Sequence, residues 1–399
     1  MSEDGGFATR SLHSAEPERR LGQGVAVSPE FSTSFYAHPD GAGFSAETMA
    51  EDAPHFYTRW SNPTIDLLER RLANLEGAEA AVCFGSGMGA ISALFIGRLR
   101  AGDHLVIADV CYAGAAELAQ NVLTRFGVEV STVDASDLGK LQGSLRPNTR
   151  LVHLETPANP ILKLVDIAGA AKVVRAAGAE LSIDATIATP LGQQSLALGA
   201  DYVVHSLTKY LCGHGDALGG AVMGRKAPLA ALRRECLSHL GAVMAPFNAW
   251  AILRGLETLA PRMAMHQENA RRLHHYLSSH PLVDKVNWPG APDHPQADLA
   301  RRQMRNFSGL LSFSVKRDSL EVARRLAERL KVISYAVSLG KTKSLLFYIP
   351  TEDLLTSSFH LDAQGQAAYR AAAGEGVFRF SVGLEDPEDL IADLAQALG

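Results

Sequence analysis

Seven short apolar runs recur between residues 80 and 224, each rich in Val, Ile, Leu or Ala: "AAVCF", "HLVIA", "VEVSTV", "RLVHLE", "ELSID", "DYVVHS" and "GGAVMG". Segments with helical spacing, such as Ala115 to Phe126 and Ile167 to Ala177, separate several of them. Most of the runs are continuously apolar, as strands covered on both faces must be. The pattern therefore predicts an α/β fold, a mostly parallel sheet with helices on both sides. In such a sheet the functional loops lie at the carboxyl ends of the strands.

The flanks read differently. Residues 1–60 show little periodicity and are rich in Gly, Ser, Pro and aromatics, which predicts an extended arm with little core of its own. "FYTRWSNPT" argues that this arm meets a surface, since three aromatics and an arginine gather there. A helix starts next, with Asn62 as N-cap, Pro63 in its first turn and Ile65, Leu68, Leu72 and Leu75 on one face. Near residue 245 the pattern changes to a long helical stretch, Ala245 to Ser278. It leads into strands at "LLSFSV", "KVISYAV" and "VFRFSVG", with a helix at Glu321 to Arg329, so a smaller C-terminal α+β domain is expected. The expected division is an arm at 1–60, a large domain at 61–257 and a small domain at 258–399.

Charge and cysteine content narrow the function classes. A net charge of −5 offers no electrostatic attraction to nucleic acid or to an anionic membrane. The start, "MSEDGGFATRSLHS", lacks the basic and apolar segments of a signal peptide, and the apolar stretch Ala81 to Gly97 is broken by Ser86 and glycines. Cys83, Cys111, Cys212 and Cys236 have no paired spacing, so the default is a reducing cytoplasm.

Three strand ends carry chemistry. "CFGSGMGA" sets Gly85, Ser86, Gly87 and Met88 between a strand and a helix, where small residues and a helix N-terminus suit an anion. It has neither the lysine of a P-loop nor the dinucleotide glycine spacing. "ELSID" ends in Asp184, a carboxylate that needs a cationic or hydrogen-bonding partner if buried. "DYVVHSLTK" runs from a buried strand into Ser206, Thr208 and Lys209, and a lysine in an apolar cleft can lose its proton and act as an amine nucleophile. These parts match the needs of pyridoxal phosphate, whose aldehyde takes a lysine, whose ring nitrogen takes a carboxylate and whose phosphate takes hydroxyls and amides.

With "FYTRWSNPT", "SGMGA", "ETPANP", "SIDAT", "HSLTKYLCGHGDALGG", "SLG" and "FRFSVGLED", nearly the whole chain resembles the Cys/Met-metabolism family of pyridoxal-phosphate enzymes. That family includes cystathionine γ-synthases and lyases, methionine γ-lyases and O-acylhomoserine sulfhydrylases. The resemblance implies an aspartate-aminotransferase-like (fold type I) architecture with a seven-stranded sheet. It implies Lys209 as Schiff-base lysine, Asp184 as partner of the pyridinium nitrogen, and Tyr112 stacked on the ring. Gly87, Met88, Thr186, Ser206 and Thr208 fall to the cofactor, while Tyr57 and Arg59 reach a neighbouring subunit's phosphate. Asn159, Ser338 and Arg379 engage cofactor or substrate carboxylate, with Arg379 the bidentate anchor. A homotetramer built of dimers with shared sites is implied too.

Other residues read as structural. His205 and His214 lack a third ligand and fit core or turn roles, so no metal is expected; Asp216 reads as a loop brace and Cys111 as a buried thiol.

Departures from the family bear on the substrate. "YAGA" places Ala113 and Ala115 after Tyr112, and Gly114 stands where methionine γ-lyases commonly have cysteine. "SLGKTKSLLFYIP" has Lys343 where the family commonly has an acid, and the "HPASMTH"-like segment is missing. Lys341 and Lys343 would share a face of an extended segment. On a face bordering the site, Lys343 would partner an anionic substrate tail; otherwise both stand in water. The expected activity is a carbon–sulfur lyase performing γ- or β-elimination on methionine, homocysteine or cystathionine. A γ-replacement enzyme is the alternative, and a non-catalytic cofactor-binding regulator the remote one.

Overall fold

A computed structural model of the chain describes residues 5–16, 24–36 and 54–399. All seven apolar runs form strands: β1 (Ala80–Phe84), β2 (His104–Ala108), β3 (Glu129–Val133), β4 (Thr149–Glu155), β5 (Glu180–Asp184), β6 (Tyr202–His205) and β7 (Gly220–Gly224). They make one sheet in the order β1-β7-β6-β5-β4-β2-β3. Only β7 runs against the others, pairing antiparallel with both β1 and β6. The register pairs Glu155 with Asp184 and Asp184 with Val204, so the carboxyl ends of β4, β5 and β6 align. The chain belongs to the expected α/β class, with a large sheet and a second, smaller one.

The helices that bear on the site begin at α1 (Phe7–His13), α2 (Pro63–Glu76) and α3 (Gly87–Arg98). Asn62 caps α2 as its side chain accepts the Thr64 N–H at 2.9 Å, and Ile65, Leu68, Leu72 and Leu75 are buried. The arm region contains more structure than its sequence suggests. α1 lies against α2, and its Arg10 bonds to Asn74. The expected helix at 115–126 is helical throughout but changes winding. α4 (Ala113–Glu117) passes into a π segment, Leu118–Val122, and a 3₁₀ turn, Leu123–Phe126.

The stretch expected as one helix from Ala245 is two, Pro246–Glu257 and Leu259–Ser279. Pro261 has no N–H for the turn before it, so the helix is interrupted at Thr258 (ψ 8°). The second helix binds the two halves together. Leu259 and Met263 share a core with the large sheet, whereas Ala270, Leu273 and Leu277 pack with the second sheet.

That second sheet has the order β10-β11-β12-β9-β8. It comprises β8 (Val283–Asn287), β9 (Leu310–Val315), β10 (Ser334–Tyr335), β11 (Leu345–Pro350) and β12 (Gly376–Ser381). Of the expected "KVISYAV" strand only two residues pair. The Asp393 carboxylate takes the N–H groups of Lys331, Val332 and Ile333, and Ser338 adopts φ 84°, so neither end continues the ladder. The segment that departs from the family pattern still builds β11 and the helix Thr351–Ser357, and β11 pairs Phe347 with Arg379.

Candidate active site

The site lies where β4, β5 and β6 end, opposite β12 of the second sheet. β6 ends at His205, and the chain turns through Ser206, Thr208 and Lys209 before returning as β7. Thr186 holds the first residue of this turn, since its hydroxyl accepts the Ser206 N–H at 2.8 Å. Thr208 closes the turn's base: its hydroxyl donates to the Gly219 carbonyl at 3.2 Å and accepts the Gly219 N–H at 3.1 Å. Lys209 is half-buried. Burial, then the charges of Arg379 and Lys341, lowers its pKa from the ordinary lysine value, with Asp184 opposing them. A lysine so placed is easier to obtain as a free amine.

Asp184 is buried at the end of β5, and its Oδ1 accepts the Thr186 N–H at 2.9 Å. A carboxylate in that position can take a ring N–H. Tyr112, 47% exposed, stands at the start of α4. Its ring leaves no room at Gly114, where a Cβ would lie 2.8 Å from Tyr112 Cε1 and 3.1 Å from Met88 Sδ. A larger residue at position 114, two after the tyrosine, would therefore require the Tyr112 ring or the Met88 side chain to shift.

The anion cradle is built by close approach. Ser86 caps α3 by accepting the Gly89 N–H at 3.0 Å, which leaves the first N–H groups of the helix facing outward. A Cβ on Gly87 would sit 2.9 Å from Ser206 Oγ, and one on Gly220 would sit 2.1 Å from the Ser86 carbonyl oxygen. Gly87 at the start of α3 thus lies directly against Ser206, and the amides and hydroxyl brought together there could hold a phosphate. Lys209, Asp184 and Tyr112 around it fit the rest of a pyridoxal phosphate.

Arg379 enters from β12. Its Nη1 donates to Asn159 Oδ1 at 3.3 Å and its Nη2 to the Ser338 carbonyl at 3.2 Å. Burial lowers its pKa, opposed by Tyr112 and Tyr210. Among the described residues the guanidinium is held by neutral acceptors only, so its charge remains available to a carboxylate.

Glu155 is the functional residue that sequence reasoning missed. Its Oε2 accepts the Tyr112 N–H at 2.5 Å and its Oε1 the Asn159 N–H at 2.8 Å. Burial, with Asp184 next, pushes its carboxyl up to about 8. The signal was present, because Glu155 ends an apolar strand as Asp184 does and opens "ETPANP".

Other expectations divide. Tyr57 and Arg59 do not join this cluster. Arg59 donates to the Ser238 carbonyl at 2.8 Å and stacks over Tyr57 and Trp60. Lys343 is exposed, and the segment around it bends instead of extending, so it and Lys341 do not share a face. His205 pairs with Glu76 at 3.1 Å, both fully buried, and His214 bonds to the Cys212 carbonyl at 2.7 Å. Asp216 accepts from Cys212 Sγ at 3.4 Å, and Cys111 is a buried thiol whose pKa burial pushes up. No group of three or more potential metal ligands occurs among the described residues.

A family model described as Cys/Met metabolism PLP-dependent enzyme matches residues 8–399. An L-methionine gamma-lyase of Pseudomonas putida is 40% identical, over 98% of this chain and 97% of that protein. An O-succinylhomoserine sulfhydrylase of Pseudomonas aeruginosa is 38% identical, over 98% and 96%. Among solved structures, metB from Corynebacterium glutamicum superposes with a TM-score of 0.88 at 35% identity, covering 100% of this chain and 99% of that one.

Proposed function

The chain belongs to the Cys/Met metabolism PLP-dependent enzymes, and we propose from that membership that it is a carbon–sulfur lyase. Its substrate is a sulfur amino acid of the methionine, homocysteine or cystathionine type. The observation that carries this reading is a single half-buried lysine, Lys209, with its pKa lowered, set between a buried carboxylate and the Arg379 guanidinium.

Pyridoxal phosphate, when bound, supplies an aldehyde for that lysine and an electron sink for the pair left as the substrate Cα–H bond breaks. Gly87, Met88, Ser206 and Thr208 would hold its phosphate, Asp184 would keep a proton on its ring nitrogen, and Tyr112 would cover its ring. Arg379 takes the substrate α-carboxylate in a two-point grip and so fixes which bond at Cα faces the lysine. The freed Lys209 amine then accepts the Cα proton, and for a leaving group on Cγ it also serves the Cβ proton. Ser338 and Asn159 orient Arg379 through the two bonds already described.

A γ-replacement enzyme is the second reading, favoured by the name of the sulfhydrylase relative. Tyr57 and Arg59, outside their own subunit's cleft, are read as completing a partner's site in a homotetramer. Large exposed apolar residues support this association, among them Val25, Phe31, Tyr36 and Phe247, with the Phe31 and Phe247 rings 6.3 Å apart. No helix among the described residues is long and apolar enough to cross a membrane. Four buried free cysteines favour the cytoplasm.

The test is to incubate purified holoenzyme with methionine, homocysteine and cystathionine and measure 2-oxobutyrate, pyruvate and thiol. Release of a 2-oxo acid and thiol is expected, with at least about a 10³-fold loss in Lys209→Ala. No release from any of them, or a variant as fast as wild type, would overturn the reading.

A further inference from the structure

The segment after Ser338 brings a second cation to Lys209. Gly340, at φ 75°, approaches so closely that a Cβ on it would lie 2.6 Å from the Tyr210 nitrogen and 3.2 Å from Lys209 Cα. Thr342 is tied on both sides, its N–H donating to the Gly213 carbonyl at 2.9 Å and its carbonyl accepting from Leu384 at 2.8 Å. Lys341, between them, is thereby fixed over the loop that follows the active-site lysine. Its stem crosses Gly215, where a Cβ would meet Lys341 Cε at 2.6 Å and Cδ at 2.7 Å. No carboxylate pairs with Lys341 among the described residues, unlike Lys163, which is held by Asp109 and Asp134.

The backbone on either side of Lys341 is thus packed on the Lys209 loop, and its charge, like that of Arg379, is close enough to be felt at Lys209. An amino acid with a neutral side chain has one carboxylate, which Arg379 takes. A substrate with a second anionic group would give Lys341 the partner it lacks. We propose that Lys341 is a specificity-determining residue that receives an anionic group at the far end of the substrate side chain. Amino acids with a distal carboxylate are then favoured over neutral thioethers. The inference rests on the amino-acid lyase reading above and names the substrate class within it. Lys343, two residues on, is exposed and is not among the charges that act on Lys209.

The experiment compares binding of two amino acids without a leaving group, L-2-aminoadipate (anionic tail) and L-norleucine (neutral tail), to the holoenzyme by calorimetry. Wild type, Lys341→Met and Lys341→Arg are measured, with thermal midpoint and visible absorbance as folding controls. Lys341→Met is expected to weaken aminoadipate about fivefold and leave norleucine within about twofold, and Lys341→Arg to restore the preference. The KM for L-cystathionine should rise in Lys341→Met by more than that for L-methionine, since loss of the Lys341 charge at Lys209 touches both substrates and loss of the tail partner only one. Equal effects on both ligands, or none, overturn the role of Lys341 and leave the lyase reading standing. Failure of wild type to bind either amino acid overturns the lyase reading, and this inference with it.

Discussion

Glu155 holds two separate backbone segments with one carboxyl group, Tyr112 through one oxygen and Asn159 through the other. Tyr112 and Asn159 approach Arg379 and the cofactor cradle from different loops, so a single side chain sets their spacing. Above about pH 8, where the carboxylate accepts both N–H groups, Glu155→Gln puts an amide NH₂ against one of them and leaves one buried group unpaired at a cost of roughly 1–3 kcal/mol. The pH dependence has a definite sign. The native carboxyl, raised to about 8, holds its proton more tightly than the unfolded one at 4.5. The native state therefore binds more protons between these values, and the contribution of Glu155 to stability is greatest below 4.5 and is lost as pH rises through 8. Denaturant unfolding of the cofactor-free protein should show this decline, at most about 1.4 kcal/mol per pH unit, and Glu155→Gln should flatten it. A slope unchanged in the variant would assign the effect to another group.

At the scale of elements, the cradle depends on β7 passing under the first turn of α3. Gly220 is where they meet, and backbone atoms occupy the space a side chain would need. Gly220→Ala is expected to destabilise by about 1–3 kcal/mol or more and to weaken cofactor retention, because the strand and the helix must separate. Gly143 is the control. It lies in the helix Leu138–Ser144 with nothing within 4 Å of an added Cβ, so Gly143→Ala should stabilise by about 0.5–1 kcal/mol. Unfolding midpoints and the absorbance of bound cofactor check both. A silent Gly220→Ala would show that α3 and β7 are free to move apart.

For the whole molecule, the site is shared between two cores. Lys209 and Asp184 stand on the large sheet, Arg379 on the small one, and the helix Leu259–Ser279 fastens the two. The Ser358 hydroxyl adds a link across them, donating to Glu117 Oε1 at 2.6 Å. Arg59 lies outside its own cleft, which under the shared-site proposal makes the oligomer the active unit. Mixing Arg59→Ala subunits with Lys209→Ala subunits should then recover activity, since hybrid dimers hold one site with both residues intact. A verified hybrid without recovery would show that Arg59 serves no partner.

The sequence alone determined the large sheet, because a strand buried on both faces must be written as a continuous apolar run, and these runs paired, with the half-exposed β3 at the edge. It also located Asp184 at the end of β5, Lys209 just past β6, and the glycines Gly87 and Gly220, which close approach demands. Tertiary structure decided what local pattern does not encode. β8, written VDKVN, carries mixed polarity and becomes a strand only through its pairing with β9, distant in sequence. The short β10 begins only after Lys331, Val332 and Ile333, whose N–H groups are taken by Asp393 about sixty residues on, and it cannot continue through Ser338 at φ 84°. Lys341 and Lys343 look interchangeable two residues apart on an extended chain. The bend after Gly340, fixed by its contact with Lys209 and Tyr210, turns Lys341 over the lysine loop and leaves Lys343 exposed. Alternation along a strand is a local rule, and it fails where a long-range contact sets the backbone.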